Sequence, residues 1–237
     1  MTEWKARRFW KAAATRPVGD GWEIALDDHP LRTPGKKPLI LPTQDLALAV
    51  AQEWDAQDDI IRPDTMPLTR AANSAVEKVA PQFQGVATML AEYGGTDLLC
   101  YRATEPQPLI RLQAEAWDPL IEWAATCHEA PLHVTHGVIP VDQPAESLMR
   151  LHGQVAGLDL YGLTALHDLV TIPGSLVLGL AVVQGRIDAT ESFRLSRVDE
   201  EFQIANWGED EDAQQAAAAR LLAMKQAERL WHLSRRG

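Results

Sequence analysis

The hydrophobic period of this chain changes at Thr43, and that change dictates the architecture. Before it, Trp22-Glu23-Ile24-Ala25-Leu26 alternates, Asp27-Asp28 supplies a turn, and Leu31-Arg32-Thr33-Pro34-Gly35 leads into Leu39-Ile40-Leu41. Successive side chains of a strand point to opposite faces. Such a pattern, broken by Asp-Asp, Pro-Gly and Lys-Lys, predicts short strands joined by hairpins. Beyond Thr43 the apolar residues recur every three to four positions, as one face of a helix requires. Thr43 is placed to cap a helix with Leu46, Val50 and Trp54 on one stripe.

A helix over 68–79 follows, ended by Pro81, and Phe83, Val86, Leu90 and Tyr93 mark another that Gly94-Gly95 terminates. Leu109, Leu112, Ala116, Leu120 and Ala124 form a longer stripe with a kink at Pro119. Leu132-His133-Val134 reads as a short extended piece, and helices are predicted over 144–156, 160–171, 174–184, 189–205 and 210–234. In the last, Ala213, Ala217, Leu221, Met224 and Trp231 share a face. Lys225, Arg229, Arg235 and Arg236 lie towards its end, where cations complement the helix dipole. The expected fold is α+β: a small β-rich N-terminal unit with one helix (1–66), followed by a larger, mainly α-helical bundle (67–237). The boundary is expected in the polar, proline-bearing stretch 58–67.

Charge and composition exclude several function classes. With 46% apolar and 23% charged residues the chain has the balance of a folded protein. A formal charge of −11 argues against a nucleic-acid or anionic-membrane surface, both of which require clustered Lys and Arg. The longest apolar run, 176–183, falls far short of the roughly 20 residues that cross a bilayer, so no membrane insertion is expected. The two cysteines, Cys100 and Cys127, have no paired spacing and fit a reducing compartment. The basic start of the chain contains Glu3 and no apolar signal core, and the expected location is the bacterial cytoplasm.

A reaction centre is hard to assemble from these residues. Gly94-Gly95 is followed by Thr96-Asp97 with no lysine, so no phosphate loop is present. Ser175 lacks the flanking glycines of a nucleophile elbow. No catalytic residue and no cofactor are expected. His128, His133 and His136 beside Cys127 are zinc-ligand types, but their spacing matches no zinc pattern. His167-Asp168 defines the competing reading. Helical metal phosphohydrolases use an adjacent His-Asp pair with an earlier His, here His152 or His136, and a later Asp, here Asp188 or Asp199.

What remains is surface for a partner. Eight tryptophans are many for this length, and two of them stand beside acids. Glu53-Trp54-Asp55 runs on to Asp58 and Asp59, and Trp207-Gly208 precedes Glu209-Asp210-Glu211-Asp212. No Lys or Arg occurs between Val198 and Ala219, while Asp199, Glu200, Glu201 and residues 209–212 are all acidic. Capping a helix uses one or two carboxylates. The excess predicts an electronegative patch around an aromatic anchor, suited to an Arg-bearing partner. The candidate partner-binding residues are Trp207, Glu209, Asp210, Glu211, Asp212 and Trp54.

At these residues the chain resembles a known family. Ile204-Ala205-Asn206-Trp207-Gly208 with an acid three places on, Arg8-Phe9-Trp10-Lys11, Glu53-Trp54-Asp55-Ala56-Gln57, Pro67-Leu68-Thr69 with Asn73, and Thr96-Asp97-Leu98-Leu99-Cys100-Tyr101-Arg102 are similar to segments of the ATP synthase assembly chaperone that binds the alpha subunit. The resemblance implies a chaperone without enzymatic activity, found in some bacteria and in the mitochondrial matrix. It would hold the unassembled alpha subunit until the beta subunit replaces it. It also implies weight on the carboxylate after Trp-Gly, here Glu211, and on Trp54.

Overall fold

Hairpin geometry sets the beginning of the structure, a computed structural model that describes residues 7–235. Strand β1 (Ala13–Val18) returns as β2 (Gly21–Leu26), with Val18 paired to Gly21 across a loop in which Gly19 takes positive φ. The alternating pattern does not extend back to β1, which forms a strand nonetheless. Its Pro17 cannot donate to a ladder, and β1 is accordingly an edge strand. The other side of β2 pairs with β3 (His29–Pro30) and β4 (Ile40–Leu41). Gly21 is required there, because a Cβ would stand 2.7 Å from the Leu41 carbonyl oxygen. The sheet packs on α1 (Gln44–Asp55), capped as expected by Thr43, whose Oγ1 accepts from the Leu46 N–H at 3.2 Å. Leu46 and Val50 are fully buried, as are Ile24 and Leu41 of the sheet.

Two compact units divide the described residues. The first holds those up to Phe83 with Leu160–Thr164 and those from Arg229 on; the second holds Gln84–Asp159 and Ala165–Glu228. In the first, α1 supports the next helix, α2 (Pro67–Ser74), in a specific way. The N-cap position of α2 is Met66, which has no side-chain acceptor. Instead the Glu53 carboxylate accepts from the N–H of Leu68 and Thr69, each at 2.8 Å, and from the Thr69 hydroxyl at 2.7 Å. Glu53→Ala would orphan both amides. It is expected to lower unfolding free energy by about 2–3 kcal/mol, seen as an earlier urea midpoint at unchanged slope.

Pro81 does not end this helix. The chain widens into a π-helical turn (Ala75–Val79), tightens through Ala80–Gln82, and continues as α3 (Phe83–Glu92). A proline ring collides with the carbonyl four residues back. The i−5 bond from the Ala80 N–H to the Ala75 carbonyl absorbs the mismatch without unwinding the helix.

The second unit is almost wholly helical. After β5 (Tyr101–Arg102), the chain builds α4 (Gln107–Cys127), β6 (Thr135–His136, parallel to β5), α5 (Ala145–Ala156), α6 (Leu160–Thr171, its first five residues counted with the first unit), α7 (Leu176–Val183), α8 (Ala189–Ser196), α9 (Val198–Trp207) and α10 (Glu211–Ser234, which passes to the first unit at Arg229). The architecture is therefore α+β, a small sheet followed by a helical bundle. Every residue of α7 is buried, which is what its unbroken apolar run requires. Gly179 lets it approach α6 closely, since a Cβ there would meet the Val170 side chain at 2.5 Å. No helix among the described residues is long and apolar enough to cross a membrane.

Two further local expectations need correction. The helix expected over 189–205 is broken into α8 and α9 at Arg197 (φ −115°, ψ 20°), where the Ser196 hydroxyl donates back to the Phe193 carbonyl and competes with continued helix. The core-facing stripe of α4 is Gln113, Trp117, Leu120 and Ala124, while Leu112 is exposed. Gln113 faces inward because both ends of its amide are satisfied: it accepts from the Ala103 N–H at 2.7 Å and donates to Asp199 at 2.6 Å. Trp117 donates its indole N–H to the Leu195 carbonyl at 2.7 Å.

Candidate functional site

The acids of α9 and those beyond it are in different situations. Asp199 accepts from Gln113, and Arg197 meets Glu200 at 2.7 Å and Glu201 at 3.2 Å. These carboxylates also lie in the first turn of α9, where the helix dipole favours negative charge. They are engaged within the fold.

The next turn of chain is built outward. Gly208 ends α9 at φ 93°, a left-handed conformation that disfavours any side chain, and its N–H bonds the Ile204 carbonyl at 2.9 Å. That abrupt stop leaves Trp207 on the last turn, 79% exposed. A tryptophan left open to water is unusual, because its ring carries one of the largest apolar areas of any side chain. Asp210 then caps α10, its carboxylate accepting from the Ala213 N–H at 2.8 Å. Glu209, Glu211 and Asp212 are exposed, and their carboxylates make no hydrogen bond or ion pair with another described residue. Capping accounts for one acid of the four.

Trp54 belongs to the first unit, whereas residues 207–212 belong to the second. Its ring lies edge-on to Trp10 at 5.2 Å, and Trp10 is itself 3% exposed. The residues around it are tied into the same fabric. Asp55 accepts from the Ala13 N–H at 2.8 Å, and Arg8 donates to the carbonyls of Asp55 at 2.8 Å and Gln57 at 2.6 Å. Gln57 in turn bridges the Glu53 carbonyl, the Thr65 hydroxyl and the Arg62 N–H. Segments of the sequence that look like separate motifs thus meet in one hydrogen-bonded cluster.

The motif around Asp97 is likewise internal. Asp97 is fully buried and accepts from the N–H of Leu99 at 3.1 Å and of Val177 at 2.9 Å, so that it holds the start of α7 together with Ser175. Burial raises its carboxyl to about 6, against the lowering effect of these donors. Arg102, 5% exposed, reaches Asp118 at 2.8 Å and covers the Trp117 ring at 5.2 Å.

The alternative metal centre does not assemble. His167 and Asp168 bond each other at 2.9 Å, Asp188 caps α8 through the Glu191 N–H at 2.7 Å, and Asp199 is held by Gln113. His128 stacks edge-on against Trp123 at 4.7 Å and His133 bonds the Asp142 carbonyl at 3.0 Å. Among the described residues no group of three or more His, Cys, Asp or Glu side chains comes together in a way that could hold a metal ion.

Comparison with known proteins points in one direction. The sequence profile of the ATP12 chaperone protein family matches residues 7–125. The crystal structure of Atp12 from Paracoccus denitrificans is 62% identical, with a TM-score of 0.96 over 98% of this chain and 100% of that one. A protein of Agrobacterium tumefaciens is 36% identical with a TM-score of 0.91, covering 95% of this chain and 85% of that one. The mitochondrial protein atp12 of Schizosaccharomyces pombe is 26% identical over 221 residues, 87% of this chain and 75% of its own length.

Proposed function

The chain belongs to the ATP12 chaperone family, and on that premise we propose that it is an ATP-independent assembly chaperone for ATP synthase. It binds and shields the unassembled alpha subunit until the beta subunit takes its place. It acts by binding alone, without catalysis or cofactor, and works in the bacterial cytoplasm.

The observation that carries this reading is Trp207, open to water beside the unengaged carboxylates Glu209, Glu211 and Asp212. An unpaired subunit interface is a large apolar patch prone to self-association. A chaperone for it needs an anchor that competes for the patch, and a charged rim that speeds encounter without making release slow. An exposed aromatic followed in the chain by unengaged acids supports that role, with Asp210 held back as a helix cap and Trp54 acting through packing against Trp10. Light scattering of purified alpha subunit on dilution from denaturant tests the proposal. Scattering is expected to fall with equimolar chain and to rise again with Glu211→Lys, whose circular dichroism stays that of the wild type. Identical scattering with and without the wild-type chain would exclude the function.

A further inference from the structure

Leu112 is 45% exposed, on the flank of α4 beside its core-facing stripe. With Ala116 one turn on, it forms one wall of a groove, and the opposite wall is the row Val198, Phe202 and Ala205 of α9. These spacings, i and i+4 on α4 and i, i+4 and i+7 on α9, leave two apolar rows facing one cleft of about 400 Å³. That volume lies within the roughly 300–1,000 Å³ of side-chain and ligand pockets, and a cleft walled by two helices is the form that receives the apolar stripe of a third.

The charges at the groove are unbalanced. Arg194 lines it but is held by Glu191 in a two-pronged contact at 2.6 and 2.8 Å, and Glu201 is held by Arg197 at 3.2 Å. Glu115 has no hydrogen bond or ion pair with another described residue. The cleft therefore presents apolar walls with one uncompensated carboxylate. We propose that it seats an amphipathic helical segment of the client, whose apolar side chains enter between α4 and α9 and whose Lys or Arg meets Glu115. This rests on the chaperone reading and adds to it a second contact surface, since the groove-lining row of α9 lies on the opposite side of that helix from Trp207.

Binding of fluorescently labelled alpha subunit to the full-length chain tests it. Ala205 is exposed, so Ala205→Trp fills the cleft without entering the core, and thermal melting verifies that the fold is kept. Ala205→Trp and Leu112→Lys are each expected to raise Kd at least tenfold, and Leu112→Met, which keeps the wall apolar, to leave it unchanged. If wild type binds and both Ala205→Trp and Leu112→Lys bind equally well, the groove proposal is overturned while the chaperone reading stands. The groove proposal is equally overturned if these two variants only shift the chain from dimer to monomer, which would make a second copy the occupant. Absence of binding by the wild type would instead remove the chaperone reading, and the groove proposal with it.

Discussion

Replacing Asp97 with alanine is expected to lower the thermal midpoint by roughly 10 °C, from a net loss of about 3 kcal/mol. The carboxylate is fully buried and receives the Leu99 and Val177 N–H groups, so its removal strands both donors, one of them at the start of a helix with no exposed residue. Part of the loss is offset, because a buried carboxylate is itself costly to ionise. That cost gives the residue a pH signature. The folded carboxyl keeps its proton up to about 6, whereas the unfolded one releases it near 3.8. Between those values the folded state binds the additional proton, so this group's contribution to stability falls as pH rises through the window and is constant above it. The expected change is on the order of 3 kcal/mol. Denaturant titrations at several pH values should show that slope in the wild type and its loss in Asp97→Asn.

The second large effect concerns binding. If Trp207 is the anchor, Trp207→Ala removes a hot-spot contact, which costs about 2 kcal/mol or more and weakens affinity for the proposed client roughly 30-fold. Stability should hardly move, because the ring is 79% exposed. Trp54→Ala should behave in the opposite way. Its ring packs on the buried Trp10, so its loss is expected to cost about 3 kcal/mol of stability, with client binding at low temperature close to that of the wild type. Calorimetric melting beside a binding titration separates the two tryptophans.

Much of this fold was legible in the sequence because local chemistry and tertiary packing agree. The Thr43 cap, the alternating β2, and the apolar run of α7 all formed where periodicity placed them. The misreadings arise where a distant partner or an irregular helical turn decides. Gln113 points inward because Ala103 and Asp199 satisfy it, and Asp199 is 86 residues away in sequence. Pro81 leaves the helix continuous because a π turn precedes it, which a local rule for proline does not anticipate. The same principle explains the motifs. Glu53 and Leu68-Thr69 looked like two signatures and are one contact, and the acids at 199–201 looked like part of a surface and are held by Gln113 and Arg197. Trp207 was legible as a candidate through the run of acids after Trp207-Gly208, but its place on the last turn of α9 was not, because the periodic pattern ends at residue 205. The α4–α9 groove was not, because Leu112 reads as core from spacing alone.

Gel filtration of purified alpha subunit mixed with an equal amount of this chain, without nucleotide, tests whether the exposed Trp207 and its neighbouring acids hold the client. Comigration is expected with the wild type, and its loss in the Trp207→Ala, Glu211→Lys double variant. Comigration that survives unchanged in the double variant, or never occurs with the wild type, would contradict that expectation.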